Sequence, residues 1–286
     1  MATPTSSPAE PSTVDPYSMV AVARQDANVF TGIPVDGPFG RVFGGQLVGQ
    51  AILAAAGTVE PLRAAHSFHG NFLRPGLAGQ ALSYEVARVK DGRAFSVRTV
   101  RALQEGRLVL TATVSFQEPR AAAPGYQAAL DEGYPGPDEL STGGDGALAG
   151  GSHRTAVELR RVPKSALPLN GTGRQAVWLR VRGAGGTPTR SEQRATLAMA
   201  SDFTVLEPVL AGHGITRLRP GLSVASLDHA FWWHGDADPA DWILYIKESP
   251  WSGDERGLVA GRLYGRSGAL VASIAQEGLV RATVTP

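Results

Sequence analysis

The sequence predicts an α+β protein of two similar units, each a central helix wrapped by a curved antiparallel sheet, and three observations lead there. At 286 residues the chain has room for about two folding units of ordinary size. The stretch from Pro119 to Gly151, dense in Pro, Gly, Ala and acidic residues and without periodicity, reads as a linker over 119–151. On both sides of it the same order recurs: an Ala-rich helical segment, then four β-type runs.

Residues 1–16 contain four prolines, no basic residue and no apolar run, so they lack the parts of a signal peptide and are expected to form a disordered tail. The first unit then spans 17–118. Within it Gly44 to Gly57 (GGQLVGQAILAAAG) is small or apolar on nearly every side, the pattern of a buried helix. Its glycines are expected to let the sheet approach closely, Gly49 above all. Strand-like runs follow at Ala65–Leu73, Ala81–Val89, Ala94–Leu103 and Leu108–Phe116, with turn signals at Arg74–Gly76, Asp91–Gly92 and Glu105–Gly106. In the last run Leu108, Leu110, Ala112, Val114 and Phe116 alternate with Val109, Thr111, Thr113 and Ser115, which fits a sheet with unequal faces.

The second unit, 152–286, offers a strand at Ala176–Val181, a helix at Ser191–Ser201, and runs near Ser223–Trp233, Trp242–Glu248, Leu258–Tyr264 and Leu270–Val280. Gly106-Arg107-Leu108-Val109 matches Gly268-Ala269-Leu270-Val271 at an offset of 162, and SFHGNF from Ser67 matches SLDHAF from Ser226 at 159. These nearly equal offsets suggest a duplication, although any two α+β units share such patterns.

Composition narrows the chemistry. Hydrophobic residues make up 43% and charged residues 19%, a globular balance, and the net charge of +1 supplies no long-range field for nucleic acid or anionic membrane. No run approaches the ~18 apolar residues of a membrane span, so a cytoplasmic protein without a membrane segment is expected. The absence of cysteine excludes thiolate nucleophiles, Fe–S clusters and Cys-based zinc sites. No cofactor and no metal are expected, and any reaction must use oxygen or nitrogen groups.

Gly44-Gly45-Gln46 invites a phosphate-loop reading, but no Gly-Lys-Ser/Thr follows. The backbone amides of Gly44 and Gly45 still open a helix and can face an electron-rich ligand. Ser226, Asp228 and His229 resemble parts of a triad, yet strand alternation places His229 on the face opposite Ser226 and Asp228. No G-x-S-x-G elbow is present, which disfavours a serine hydrolase. His66 and His69 read as ordinary histidines. Phe231, Trp232, Trp233, Trp242 and Trp251 read as core or interface. Asp202, Ser226 and Gln276 interrupt apolar segments; each has a solvated or backbone-bonded reading beside a catalytic one.

Six ordered segments go further: RVFGGQLVGQ (41–50), HSFHGNFLRPG (66–76), DGRAFSVR (91–98), ASDF (200–203), SLDH (226–229) and VASIAQEGLVR (271–281). Together they resemble the acyl-CoA thioesterase II, or TesB-like, family. The resemblance implies a double hotdog and hydrolysis of acyl-CoA to free fatty acid and CoA. It also implies a catalytic Asp, hydroxyl and Gln at Asp202, Ser226 and Gln276, the hydroxyl being Ser where many bacterial members carry Thr. At the 162-residue offset Val114 stands where Gln276 stands, so one active site per chain is implied, with the first unit as wall and acyl pocket. The implied partners are acyl-CoA and further copies of the chain, in a homodimer or larger homo-oligomer. The alternatives are a non-hydrolysing acyl-CoA or acyl-carrier binding protein on the same fold, and an enoyl hydratase, for which no Asp/His motif is seen.

Overall fold

The computed structural model describes residues 14–35, 40–118, 120, 124–141, 156–167, 173–183, 186–216 and 219–282. Of the expected tail, residues 1–13 lie outside these. Asp15, by contrast, accepts a hydrogen bond from the Tyr17 N–H and caps helix α1 (Pro16–Val20), with Pro16 at its first turn.

Two short strands, β1 (Ala23–Asp26) and β2 (Val29–Gly32), precede helix α2 (Gly44–Ala56). Strands β3 (Ala64–Phe72), β4 (Leu82–Asp91), β5 (Phe95–Gln104) and β6 (Arg107–Gln117) complete the first half. The second half runs β7 (Val157–Arg161), β8 (Arg174–Val181), helix α3 (Arg190–Ser201), helix α4 (Glu207–Gly212), then β9 (Leu222–Ser226), β10 (Asp228–Trp233), β11 (Ile243–Gly253), β12 (Arg256–Gly265) and β13 (Leu270–Ala282). No helix among the described residues is long and apolar enough to cross a membrane.

The strands form one antiparallel sheet in the order β1-β2-β4-β5-β6-β3-β10-β13-β12-β11-β8-β7, with β9 paired to β13. That order is a palindrome: each strand of the first half has a counterpart at the mirrored place in the second. The halves meet where β3 pairs with β10, Phe68 opposite Phe231. The expected duplication is therefore carried by topology, and two helix-in-sheet units joined edge to edge are a double hotdog. The hairpin offset of 162 holds, since Gly106 and Gly268 both turn with positive φ. The offset of 159 does not. Val114 pairs with Phe68, and the position matching Val114 is Gln276, whose counterpart across β10 is His229; the true offset there is 161.

The two helices lie antiparallel at the seam. A Cβ on Gly45 would collide with the Met199 carbonyl, and one on Gly49 would meet Val20 and sit 3.2 Å from the Ala195 carbonyl. These glycines therefore admit helix α3 and Val20 of α1, not the sheet as the sequence suggested. Buried Gln46 and Gln50 on α2 donate to the Met19 carbonyl at 2.8 and 3.0 Å, which settles their polarity inside an apolar helix. The fully buried Arg98 bonds both Thr58, just past the end of α2, and Asp91 at 2.6 Å, so the DGRAFSVR segment clamps its hairpin to the helix.

One core extends through both halves, from Ile52 and Phe68 to Met199 and Phe231. A second cluster of Trp178, Trp242, Leu244 and Tyr264 is covered by the linker, where Leu130, Tyr134 and Leu140 pack on it. The linker is tied down by Trp178 Nε1 to the Pro135 carbonyl (2.9 Å) and by Gln127 to Leu270 and Gly268. Of the two roles expected for Trp251, core or interface, the core one does not hold: it is exposed on the β11–β12 hairpin beneath Arg256.

Candidate active site

Asp202 ends helix α3 as its C-cap, and the turn after it is fixed on two sides. Phe203 packs on Phe43 with ring centroids 4.5 Å apart. Lys247, buried in β11, donates to the Thr204 carbonyl at 2.8 Å and to its hydroxyl at 2.5 Å. Asp202 as a whole is only 8% exposed. Burial, and next the negative charge of Asp202, push the Tyr245 phenol well above its usual pKa, so that ring stays neutral beside the site.

Gln276, fully buried in β13, brings the group together. Its Nε2 donates to Asp202 Oδ1 at 3.2 Å and to Ser226 Oγ at 2.8 Å. Ser226 lies at the end of β9, half-buried. Because Ser226 accepts this bond, its own proton is left to donate elsewhere. Two residues distant in sequence, Asp202 and Ser226, thus converge on the Gln276 amide.

Ser226 pairs with Gly278 and Ala230 with Ala275, so four steps on one side match three on β13. That extra residue is a β-bulge at Leu227, and a bulge reverses the alternation of faces. His229 therefore joins the group that alternation excluded it from: its Nδ1 contacts Gln276 Oε1, and its Nε2 lies 3.2 Å from Ser201 Oγ. Asp228 is turned to another use, accepting the Glu277 N–H at 2.7 Å and holding the bulge on β13. The signal for His229 was present in SLDH; the missing knowledge was the bulge.

The first half reaches the same place through α2. Asp202 Oδ2 lies where a Cβ on Gly44 would come within 2.9 Å, and the Phe72 ring adjoins it. Phe43, the N-cap of α2, offers no side-chain acceptor, so the amides of Gly44 and Gly45 have no capping side chain there. His66 and His69 stand apart: His66 meets Phe95 edge-on, and His69 meets Trp232 on the outer face.

A carboxylate, a hydroxyl and a carboxamide thus stand together at the seam of a double hotdog, beside a helix N-terminus without a side-chain cap. A family model described as acyl-CoA thioesterase matches residues 151–279, and one described as acyl-CoA thioesterase N-terminal domain matches 33–117. Acyl-coenzyme A thioesterase 8 of Homo sapiens is 34% identical over 90% of this chain and 85% of its own length. The crystal structure of the acyl-CoA thioesterase II TesB2 from Mycobacterium marinum superposes with a TM-score of 0.81 at 31% identity, covering 95% of this chain and 98% of that one. A hot dog fold protein of unknown function from Alicyclobacillus acidocaldarius superposes at 0.77 and 18% identity over 94% and 98% of the two chains, a likeness of fold alone. The chain belongs to the acyl-CoA thioesterase family and is a thioester hydrolase of double-hotdog build.

Proposed function

We propose that the chain hydrolyses acyl-CoA to a free fatty acid and CoA with a water activated at Asp202. The observation that carries this reading is the convergence of Asp202 and Ser226 on the two N–H groups of Gln276. A thioester has a good leaving group, so a positioned and partly deprotonated water suffices without a covalent intermediate. Asp202 takes one proton from the water as its oxygen bonds the thioester carbon. Ser226, with its proton free, donates to that water or to the carbonyl and fixes the line of attack. The negative charge forming on the carbonyl oxygen falls to the amides of Gly44 and Gly45 at the α2 N-terminus. Collapse of the tetrahedral species breaks the C–S bond, and the thiolate leaves and is protonated. In this reading the second half carries the reactive side chains; the first contributes the α2 amides and the wall at Phe72 and Phe43.

Asp202→Asn keeps the shape of the site and removes the base. Thiol release from acyl-CoAs of graded chain length is expected to fall by 10²- to 10⁴-fold, on the order of a lost general base. Turnover near the wild-type rate overturns the assignment. Intact mass after rapid quench is expected to show unmodified protein; an acyl adduct on Ser226 replaces water activation with an acyl-enzyme route. Saturable acyl-CoA binding by the wild-type protein without thiol release makes it a carrier and overturns hydrolysis.

A further inference from the structure

We propose that His229 is a positioning residue that sets the orientation of the Gln276 carboxamide, and through it the alignment of Asp202 and Ser226. The inference rests on the hydrolytic reading of the same site. It starts from an ambiguity built into glutamine: rotating the amide by half a turn exchanges Oε1 and Nε2 at almost no steric cost. In the working orientation Nε2 spends both hydrogens on Asp202 and Ser226. In the flipped one, Oε1 would face the Asp202 carboxylate at the same separation, and an acceptor would oppose an acceptor.

His229 decides between them. Oε1 can only accept, so its contact with Nδ1 requires the ring proton on Nδ1. With that proton in place a flipped amide would set N–H against N–H. With Nδ1 protonated in a neutral ring, Nε2 accepts, and it faces Ser201 Oγ at 3.2 Å; the single Ser201 proton then goes to Nε2, with the Ala198 carbonyl 2.8 Å away as the competing acceptor. Ser201 immediately precedes Asp202, so the bonds close a circuit: Asp202 to Gln276, Gln276 to His229, His229 to Ser201, and the backbone back to Asp202. The imidazole is 1% exposed and held between Phe231, stacked at 6.4 Å, and Phe68 of the other half, also at 6.4 Å. A ring so enclosed has little freedom to release the amide. At 1% exposure it has no face open to an entering substrate, which makes its action indirect.

His229→Phe keeps a ring and removes the donor, and the fold tolerates phenylalanine at the matching position 68. Its kcat for acyl-CoA hydrolysis is expected to drop on the order of 10- to 100-fold, the size of effect seen when a partner that orients a site ligand is lost. KM should stay within about twofold, because a buried ring acting through Gln276 alters the reacting geometry and not the ground-state binding. His229→Asn, whose Nδ2 can stand in for Nδ1–H, is expected to recover most of kcat. Removing the Gln276 amide as Gln276→Ala should cost far less in the His229→Phe background than in wild type, since the two act as a unit. Wild-type kcat in His229→Phe overturns the proposal, and so does His229→Asn failing equally, or a loss carried by KM alone. Asp202→Asn measured alongside separates the two levels. If it retains activity, the hydrolytic reading itself falls; if it is inactive while His229→Phe is not, only the positioning role falls.

Discussion

In the first half of the molecule Phe68 faces Val114 across β3 and β6, and the C-cap of the buried helix α2 is Gly57; in the second, the matching places hold His229, Gln276 and Asp202. The same frame thus carries an apolar lock on one side and a polar circuit on the other. The helix starts differ in the complementary sense. At α3, Thr189 and Glu192 form a reciprocal capping box, with Glu192 accepting the Thr189 N–H at 2.7 Å, whereas α2 begins at Phe43 without a side-chain cap. Because the helices are antiparallel, the uncapped start of α2 lies beside Asp202, while the closed start of α3 belongs to the silent end. The two halves thus differ at once in the polar groups at the sheet and in the side-chain capping of the facing helix.

The sharpest way to break this contrast is to give the second half the first half's residue. Gln276→Val is expected to lower kcat by 10²- to 10⁴-fold, in the range of a lost general base, because Asp202 and Ser226 lose their shared donor together. A variant that melts near the wild-type temperature but releases no thiol from acyl-CoA bears this out; retained turnover means the two halves differ for another reason.

The reverse exchange reads out as stability. Val114→Gln places an amide where Val114 and its neighbour Phe68 are fully buried, and an unsatisfied buried amide costs about 1–3 kcal/mol. Urea midpoints should record that loss, and adding Phe68→His should return part of it by supplying the Nδ1–H found in the second half. If the pair is no better than the single exchange, the likeness of the two sheet positions does not extend to their chemistry.

The smallest expected effect concerns the closed start of α3. There Arg194 bridges the β3 backbone at Ala65 and the carboxylate of Asp236, which Arg190 also meets. Burial opposes the charge on Asp236, but Arg190 and Arg194 outweigh it and hold its pKa below the ordinary carboxylate value. A carboxyl whose folded pKa lies below its unfolded value of about 3.9 adds stability above that pH and loses it as the pH falls through the folded value. Since the Asp236 side chain is half exposed, the contribution is under about 1 kcal/mol. Denaturation of Asp236→Asn should differ slightly from wild type at pH 7, and the gap should shrink as the pH falls below the ordinary carboxylate range; an unchanged gap contradicts the linkage.

Much of the frame was legible because its signals are local and periodic. The all-round apolar pattern of GGQLVGQAILAAAG gave α2 to within a residue, and alternation in LVLTATVSF gave β6. Strands β1, β2 and β7 escaped: ARQD is exposed throughout, VFTG is only four residues long, and VELRR alternates too little to stand out. Asp202, Ser226 and Gln276 were reached through family likeness, because nothing in spacing relates residues that meet only after the sheet closes. His229 was lost for a definite reason. A single extra residue at Leu227 inverts the parity on which facing is judged, and no composition marks it. Gly45 and Gly49 were read correctly as marks of close approach and wrongly as to the neighbour, since the sequence shows that space is needed and not what fills it.

The linker has a consequence for descent. Two identical chains meeting across β3 and β10 about a two-fold axis would have to carry His229 and Phe68 in both places or in neither. A single covalent chain removes that obligation, so substitutions can accumulate in one copy while the other is preserved. The strap that crosses Trp178 and Tyr264 is therefore what makes an unequal pair heritable, although the bonds that hold the halves together lie in the shared sheet and the antiparallel helices.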